Sequence, residues 1–221
     1  MTDLAQLETM NTQRWDAMHL KAARIGEFHE TAIRLSETTT KARYQGVTDR
    51  LTELAATNSA INPVPWWFVA IVSEREYGPD RHGNMRWDCQ LGQGDPLDQK
   101  SIHVPQGMGP YLAHPGDVTP GHDAWTRCCV DVLINSAPFI AKRKMVTIGG
   151  VLVGLLEYNG LGYDAHGRPS PYLWAGSDQY ISGKYVRDGV YDPSYVDKQL
   201  GCAGILAMMM VLDTTIQIEG A

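Results

Sequence analysis

Apolar side chains recur at intervals of three and four residues in two stretches near the start of the chain. The first stretch includes Trp15, Met18 and Phe28 and predicts one helix over residues 4–37. The second stretch predicts another helix, which ends at the polar run 57–59. Polar residues fill the other faces of both stretches, so each helix is expected to bury one side only.

A third apolar stretch differs from these two because it has no polar face. Residues 66–72 are all apolar, and they follow Pro63 and Pro65, which suit a helix start because proline lacks a backbone donor. A Gly-Pro pair stops the pattern shortly after Glu76. The sequence therefore predicts a central, buried helix that ends near Glu76.

The rest of the chain alternates between loop-like and helical patterns. Residues 77–120 are rich in glycine and proline and are predicted as loop with a small β-hairpin around 86–104. Residues 161–193 are rich in aromatic residues and are also predicted as loop. Further helices are predicted over residues 123–135, 145–158 and 194–212. The expected fold class is mainly α, of the α+β type, with a small β or loop lobe inserted after the central helix. A loop as long as 77–120 is usually functional.

Composition narrows the class of protein. The 221 residues are 43% hydrophobic and 20% charged, which is ordinary for a globular chain. The formal net charge is −6 and no dense Lys/Arg block occurs, so no nucleic-acid partner is expected. No apolar stretch approaches the roughly 20 residues of a membrane span, and the first residues lack a signal-peptide pattern. We therefore expect synthesis in the cytoplasm, no signal peptide and no stable membrane insertion.

The four cysteines, Cys89, Cys128, Cys129 and Cys202, form no CxxC pair. Cys128 and Cys129 are adjacent, so their side chains point in different directions on any regular element. This is a poor framework for disulfides and for zinc, and it favours buried, reduced thiols. We expect no metal and no other cofactor.

The end of the central helix offers the most informative candidate for catalysis. Glu74 and Glu76 follow the apolar run and precede a loop rich in glycine and proline. Desolvation raises the pKa of a carboxyl, and a glutamic acid that stays protonated near neutral pH can act as a general acid. Periodicity does not choose between the two residues, and both also fit solvated carboxylates at a helix end.

The long loop supplies further polar candidates. Asp95 lies in the tight turn GDPL, and Asp88 and Asp80 are other acids of the same loop. Glycosidases commonly use a second carboxylate beside the acid, although an aspartate in such a turn is equally typical of an Asx-turn. His103 is a candidate polar contact to a substrate or a structural hydrogen-bonding residue.

Two later segments combine hydroxyl, amide and aromatic groups. Tyr158 and Asn159 precede Gly160, which suits the end of a helix. The segment PSPYLW and the polar residues after it are expected to place rings and amides on loops, as suits a sugar site. The candidates there are Tyr172, Trp174 and Gln179. A plain helix cap and an aromatic cluster under a loop are the structural alternatives.

Other hydrolytic chemistries fit the sequence less well. No GxSxG, Walker A or HExxH motif occurs. A Cys–His hydrolase would have to pair Cys89 with a distant histidine such as His103, and nothing in the sequence favours a thiolate there. A zinc amidase would draw on His82, His103, His114 or His122, whose spacing matches no recognisable ligand pattern.

Taken in order, these segments resemble a family of phage and prophage endolysins with a lysozyme-like fold. The resemblance covers roughly residues 42–208. Its motifs are VPWW (64–67), Arg75-Glu76, GDPL (94–97), HVP (103–105), YNG (158–160), PSPYLW (169–174) and GKYVRD (183–188). PSPYLW together with YNG is a fairly specific signal, whereas Arg-Glu alone is not.

The resemblance implies cleavage of the β-1,4 bond between N-acetylmuramic acid and N-acetylglucosamine in peptidoglycan glycan strands. It implies a catalytic domain at 41–221 preceded by an N-terminal helical segment at 1–40, and it puts Glu76 in the place of the catalytic glutamate. With the polar residues identified above, the expected catalytic residues are Glu76, Asp95 and Tyr158, and the expected substrate-binding residues are Asn159, Tyr172, Trp174, Gln179 and His103. An endolysin without a signal peptide is expected to reach the wall, in the periplasm, through lesions made by a holin-type partner.

Two departures from the family leave the second carboxylate open. Tyr77 stands where the family usually has serine. The gap from Glu76 to Asp95 is also longer, with residues 81–88 as apparent extra loop. Asp95 is therefore either the second carboxylate or a turn residue, and the other two loop aspartates are the alternatives.

Three other activities compete with that of a muramidase. A lytic transglycosylase needs a single glutamate and uses the C6 hydroxyl of muramic acid, and the pair Tyr158-Asn159 resembles what such enzymes place near the acid. A chitinase that pairs a helix-end glutamate with a loop carboxylate is a further option. A catalytically inactive glycan-binding component of a virion would keep the loop aromatics without depending on Glu76.

Overall fold

The computed structural model describes residues 3–92, 94–103, 106–115, 117, 121–163, 166–187 and 189–221. Over these residues the fold is mainly α-helical with one two-stranded antiparallel sheet, which confirms the coarse class predicted from the sequence. The helices are α1 Leu4–Asp16, α2 Ile25–Ser36, α3 Thr38–Thr57, α4 Trp66–Glu76, α5 Ala124–Asn135, α6 Ile148–Asn159, α7 Pro171–Trp174 and α8 Cys202–Leu212. The strands are β1 Lys184–Arg187 and β2 Val190–Asp192. None of the helices in the described ranges has the length and apolar character that crossing a bilayer requires.

The chain divides into two compact units. The continuous unit consists of Leu35–Lys144, and the discontinuous unit consists of Met1–Arg34 together with Met145–Ala221. The domain boundary predicted from the sequence is at residue 40. The boundaries between the two compact units lie in the last turn of α2 and after Lys144. The N-terminal segment therefore shares a compact unit with the C-terminal part of the chain.

The centre of the continuous unit is α4, which has the bounds that its apolar run predicted. Residues 66–73 are all buried, and α4 packs against α3. The Ser73 hydroxyl on this buried surface lies 2.9 Å from the Tyr44 hydroxyl, so the polar group has a partner. The helix ends where the N–H groups of Tyr77 and Gly78 both donate to the Ser73 carbonyl, at 3.1 and 3.0 Å. Gly78 takes the left-handed φ of +58° that this helix end requires.

The single helix predicted over residues 4–37 is wrong, because the chain breaks between α1 and α2. The intervening residues pair with a loop of the same unit. The His19 N–H donates to Asp178 Oδ1 at 3.0 Å, and the Lys21 N–H donates to the Gly176 carbonyl at 2.9 Å. These donors would otherwise enter the helical ladder. The competing acceptor of His19 lies 159 residues away, so no local periodicity could reveal the break.

The sheet lies in a segment that the sequence predicted as loop, where β1 and β2 pair antiparallel. The hairpin predicted around 86–104 contains no strand among its described residues. Its two arms are joined by backbone hydrogen bonds from Gln90 to Asp95 at 2.7 Å and from Leu97 to Asp88 at 2.9 Å, which form an isolated antiparallel bridge between Cys89 and Pro96. The small β lobe is therefore a hydrogen-bonded loop, and the strands belong to the discontinuous unit.

In the discontinuous unit α8 packs closely on its neighbours and begins later than predicted. A Cβ added to Gly204 would lie 2.4 Å from the Phe28 ring, so only glycine permits this approach. The helix starts at Cys202 and not near residue 194. One cause lies in the segment before it, where the Asp197 N–H donates to the Tyr180 hydroxyl at 3.0 Å and is lost to a helical ladder.

All four cysteines are free and buried, which confirms the prediction of buried thiols. Burial raises the pKa of Cys89 to about 11 and that of Cys128 to about 12, so both stay protonated at neutral pH. We expect the thiol reagent dithiobis(nitrobenzoate) to leave the thiols of the folded protein unmodified. It should react with all four after the protein is unfolded in guanidinium chloride. The absorbance of the released thiolate measures the reaction. A thiol of the folded protein that reacts as fast as free cysteine would contradict this burial.

Candidate active site

The residues predicted to form the site fall in both units. Glu76, Asp95 and His103 belong to the continuous unit. The candidates in the discontinuous unit are Tyr158, Asn159, Tyr172, Trp174 and Gln179. The motif residues Val104, Pro105 and Asp188 lie outside the described residues.

Glu76 is the last residue of α4, at the point where the apolar helix meets the long loop. Its side chain is half-buried, and so is that of Glu74, whereas Arg75 between them is buried. Burial therefore does not choose between the two glutamates. The choice of Glu76 rests on the position of the Arg-Glu motif.

Tyr77 connects the end of α4 to the GDPL turn. A Cβ added to Gly94 would lie 2.9 Å from Tyr77 Cβ, so the backbone of the turn rests directly against this residue. The Tyr77 hydroxyl accepts a hydrogen bond from Trp125 Nε1 at 3.1 Å. Burial raises the pKa of Tyr77 well above its usual value, which keeps the phenol neutral. Tyr77 is thus a packing residue that lies between the GDPL turn and Trp125.

Replacing Gly94 with Ala is expected to destabilise the protein by about 1–3 kcal/mol. The residue has a φ of +73°, and the added methyl group would overlap Tyr77. The free energy of unfolding in urea measures the effect. Gly83→Ala is the matched control, because Gly83 has a φ of +86° but no atom within 4 Å of an added Cβ. Equal losses for the two variants would mean that the contact with Tyr77 contributes nothing.

Asp95 is buried, and its carboxylate is held by its own loop. Oδ2 accepts hydrogen bonds from Ser101 Oγ at 2.7 Å and from the N–H groups of Ile102 and His103 at 3.2 and 3.3 Å. Burial raises the pKa of this carboxyl, but the hydrogen bonds from Ser101 and His103 outweigh burial and bring the pKa below its usual value. Asp95 is therefore ionised at neutral pH and does not carry a proton to donate.

The ionised Asp95 determines how the His103 ring is presented. Asp95 Oδ1 lies 2.8 Å from His103 Nδ1, so a neutral ring carries its proton on Nδ1 and leaves Nε2 as an acceptor. The His103 side chain is 52% exposed, which makes the ring accessible to a ligand. A histidine oriented by a buried carboxylate is well suited to contact a hydroxyl or to relay a proton.

Asp80 and Asp88, the two predicted alternatives to Asp95, differ from it in their surroundings. Asp80 accepts hydrogen bonds from the backbone N–H groups of Asn84 and His82, and these bonds lower its pKa. Asp88 has a side chain that is 81% exposed, with one oxygen 3.8 Å from Arg86 Nε. Asp80 therefore shapes a turn, and Asp88 is open to solvent.

An aromatic cluster that the sequence reasoning did not identify lies beside Tyr77. The rings of Tyr44, Trp87 and Trp125 meet edge to face, with centroids 5.3, 5.8 and 4.8 Å apart in the three pairs. The Arg43 guanidinium lies 4.8 Å from the Trp87 ring centre, within cation–π range. Trp87 is half-buried while the other two rings are buried, so Trp87 offers the accessible face. In the sequence, the one signal for this cluster was the presence of Trp87 within the long loop.

The YNG motif lies where the sequence predicted, at the end of α6. Tyr158 is half-buried, and Asn159 is exposed as the last residue of the helix. Gly160 follows with a φ of +93°, and its N–H donates to the Glu157 carbonyl at 3.0 Å. The hydroxyl and the amide are therefore at a helix end, as expected.

Tyr172 and Trp174 lie in the core and not on a loop, so the predicted loop is wrong at this segment. They belong to α7, whose first turn is capped by the Ser170 hydroxyl, which accepts the Tyr172 N–H at 3.2 Å. Tyr172 is 3% exposed and Trp174 is 1% exposed. Gln179 is half-buried, and its amide donates to the neighbouring aspartate at 3.0 Å. A contact of these side chains with substrate stays a prediction.

Two alternative chemistries can be compared with this geometry. The pairing of Cys89 with a histidine loses support, because burial raises the pKa of that thiol to about 11. Within the described ranges, no group of three His, Cys, Asp or Glu side chains is arranged to hold a metal ion.

Comparison of the chain with protein-family models, curated proteins and solved structures found no match.

Proposed function

We propose that the protein is a lysozyme-like peptidoglycan hydrolase that cleaves the β-1,4 bond between N-acetylmuramic acid and N-acetylglucosamine, with Glu76 as the general acid. One observation carries the proposal. Glu76 ends a buried apolar helix and is followed by Tyr77, on which Gly94 of the polar loop packs. A carboxyl at such a border suits a group that must keep its proton until a bond breaks. The order of the endolysin motifs adds family-level support.

In the proposed reaction Glu76 donates its proton to the glycosidic oxygen while the bond from that oxygen to C1 of muramic acid breaks. The bonding electron pair stays with the oxygen, which becomes the 4-hydroxyl of N-acetylglucosamine. An oxocarbenium-like centre develops at C1 and is attacked by water. The attacking water loses a proton to the Glu76 carboxylate, so each cleaved bond consumes one water.

The contacts of Asp95 support a positioning role. Both of its oxygens already accept hydrogen bonds within the loop, and its pKa keeps it ionised. In the proposal Asp95 orients His103, whose accessible ring contacts a sugar hydroxyl through Nε2. A direct action of Asp95 on the substrate stays a prediction.

A lytic transglycosylase is the second candidate, and the surroundings of Asp95 favour it. If Asp95 is engaged within its loop, the reaction depends on one carboxyl, which is all that a transglycosylase requires. The C6 hydroxyl of muramic acid would then attack C1, lose its proton to the Glu76 carboxylate and close a 1,6-anhydro ring without consuming water. Asn159 is exposed and belongs to the discontinuous unit, and a contact of its amide with the N-acetyl groups of the substrate stays a prediction.

The test is digestion of purified peptidoglycan followed by mass spectrometry of the soluble products. New reducing ends support the hydrolase, and 1,6-anhydro-muramic ends support the transglycosylase. Release of neither product, with retention of the protein on the sedimented wall, would overturn both and favour a glycan-binding component. Turnover of chitin at the rate of peptidoglycan would favour a chitinase.

A further inference from the structure

A small cavity in the discontinuous unit is lined by two arginines and, among the residues that the structure describes, by no acid. It lies between α1, the end of α6 and the segment that leads into α7, and its volume is about 40 Å³. Arg14 comes from the last turn of α1, and Arg168 comes from the segment before α7. Neither guanidinium forms an ion pair with any residue that the structure describes. Two positive charges therefore meet at one cavity of a chain whose net charge is −6.

The uncharged polar groups of the lining can also donate. Asn11 is 5% exposed and donates from Nδ2 to the Leu7 carbonyl at 2.9 Å, and the same nitrogen carries a second hydrogen. Ser170 is 4% exposed, and its oxygen accepts the Tyr172 N–H at 3.2 Å, which leaves the hydroxyl hydrogen for a ligand. Because the described part of the lining offers donors and no carboxylate, it favours an anion.

The rest of the lining is apolar and sets the size of the ligand. Leu156, Leu173 and Trp174 are buried and form the inner wall, whereas Met10 and Arg168 are exposed and lie toward solvent. A volume of 40 Å³ holds on the order of three water-sized groups. This space suits a carboxylate with a small alkyl substituent, and the wall would leave a fully hydrated anion such as phosphate poorly solvated.

We propose that this cavity binds a carboxylate carried by a short aliphatic group. Arg14 and Arg168 would hold the carboxylate, because the planar fork of a guanidinium matches its two oxygens. The aliphatic part would lie against Trp174. The ligand is then the terminal alanine carboxylate of a peptidoglycan peptide stem, an identification that rests on the proposed function, whereas the carboxylate site does not. Through Arg14, the site would give α1 a part in binding the ligand, although α1 lies outside the family resemblance.

The experiment is a titration of the full ¹⁵N-labelled chain with N-acetyl-D-alanine, followed by the NMR signals of the arginine Nε–H and tryptophan indole groups. Saturable shifts are expected for the wild type, and the uncharged N-acetyl-D-alaninamide should produce none. Arg14→Gln and Arg168→Gln should each weaken binding at least about tenfold. Arg187→Gln is the control, because Arg187 is exposed on β1 in the same unit and does not line the cavity.

Several outcomes would overturn the site. These are equal binding of the amide and the acid, equal binding of inorganic phosphate, or an equal loss of affinity in the Arg187→Gln control. Arg168 is exposed, so Arg168→Gln is expected to keep the fold even where Arg14→Gln does not. Circular dichroism of each variant checks the fold.

A second arm separates this site from the proposed function. Cleavage of intact peptidoglycan is compared with cleavage of glycan strands from which an amidase has removed the peptides. We expect Arg14→Gln to slow cleavage of the intact polymer only. An equal rate of wild type and variant on both substrates would overturn the peptide-stem ligand and leave the hydrolase standing. Failure of the wild type on both substrates would overturn the hydrolase, while the titration still decides the carboxylate site.

Discussion

Replacing Glu76 with Gln is expected to slow cleavage of purified peptidoglycan by about 10²–10⁴-fold. Glutamine keeps the size of the side chain but has no acidic proton to give to the glycosidic oxygen. Because Glu76 is half-buried at the end of α4, the loss of its charge is not expected to unfold the protein. The measurement is the initial rate of appearance of new muramic ends at equal protein concentration.

Glu74→Gln is the matched control for this result. Glu74 is also half-buried, and it belongs to the same last turn of the same helix. We expect it to keep most of the wild-type rate. An unchanged rate in Glu76→Gln, or a loss of equal size in Glu74→Gln, would remove the assignment of Glu76 as the acid. Thermal unfolding of both variants shows whether a lost rate is a lost fold.

Replacing Asp95 with Asn is expected to lower the free energy of unfolding at pH 7 by roughly 2–3 kcal/mol. The carboxylate is 6% exposed and accepts hydrogen bonds from Ser101, Ile102 and His103, and an amide would turn one donor group toward these donors. Urea unfolding curves of the two proteins measure the loss. Asp98→Asn is the control, because Asp98 is an exposed aspartate of the same loop.

The loss of unfolding free energy in Asp95→Asn should depend on pH in a defined direction. The pKa of Asp95 is lower in the folded protein than in the unfolded chain, where it is about 3.9. Its contribution is therefore fully present above about pH 5 and disappears as the pH falls through the folded value. The difference in unfolding free energy between wild type and Asp95→Asn should shrink as the pH falls below about 4. A difference that is constant from pH 7 to pH 3 would show that the charge of Asp95 is not what holds the loop.

The parts of the fold that the sequence predicted well are those decided by local chemistry. Helix α4 has the predicted bounds, because an apolar run after Pro65 starts a helix and Gly78 in its left-handed conformation ends one. The break after α1 depends on acceptors in a distant loop, which no periodic pattern contains. The β1–β2 hairpin had a local signal in the pair Asp188-Gly189, a frequent turn dipeptide, but the aromatic residues around it suggested a loop.

The candidate site was predictable to the same degree. The position of Glu76 at the end of α4 could be predicted, because a carboxyl that follows an apolar helix is visible in the residue order, whereas its role as the acid stays a prediction. The contacts of Asp95 with Ser101 and His103 were not predictable, since they depend on how one loop folds back on itself. The cluster around Trp87 was missed for a related reason, because its ring partners Tyr44 and Trp125 come from α3 and α5. Long-range contacts of this kind leave no pattern in a single sequence.

The discontinuous unit can complete its folding only late in synthesis, because it joins Met1–Arg34 to Met145–Ala221. Phe28 has no exposed surface in the finished protein, and its ring lies against Gly204 and Gly176. A ribosome that adds roughly 5–20 residues per second makes Phe28 on the order of ten seconds or more before Gly204 emerges. During that interval the nascent N-terminal segment exposes an apolar face whose partner has not been translated. Demand for chaperones is therefore expected to concentrate on the first 34 residues, while residues 35–144 are all available to fold as soon as they leave the exit tunnel.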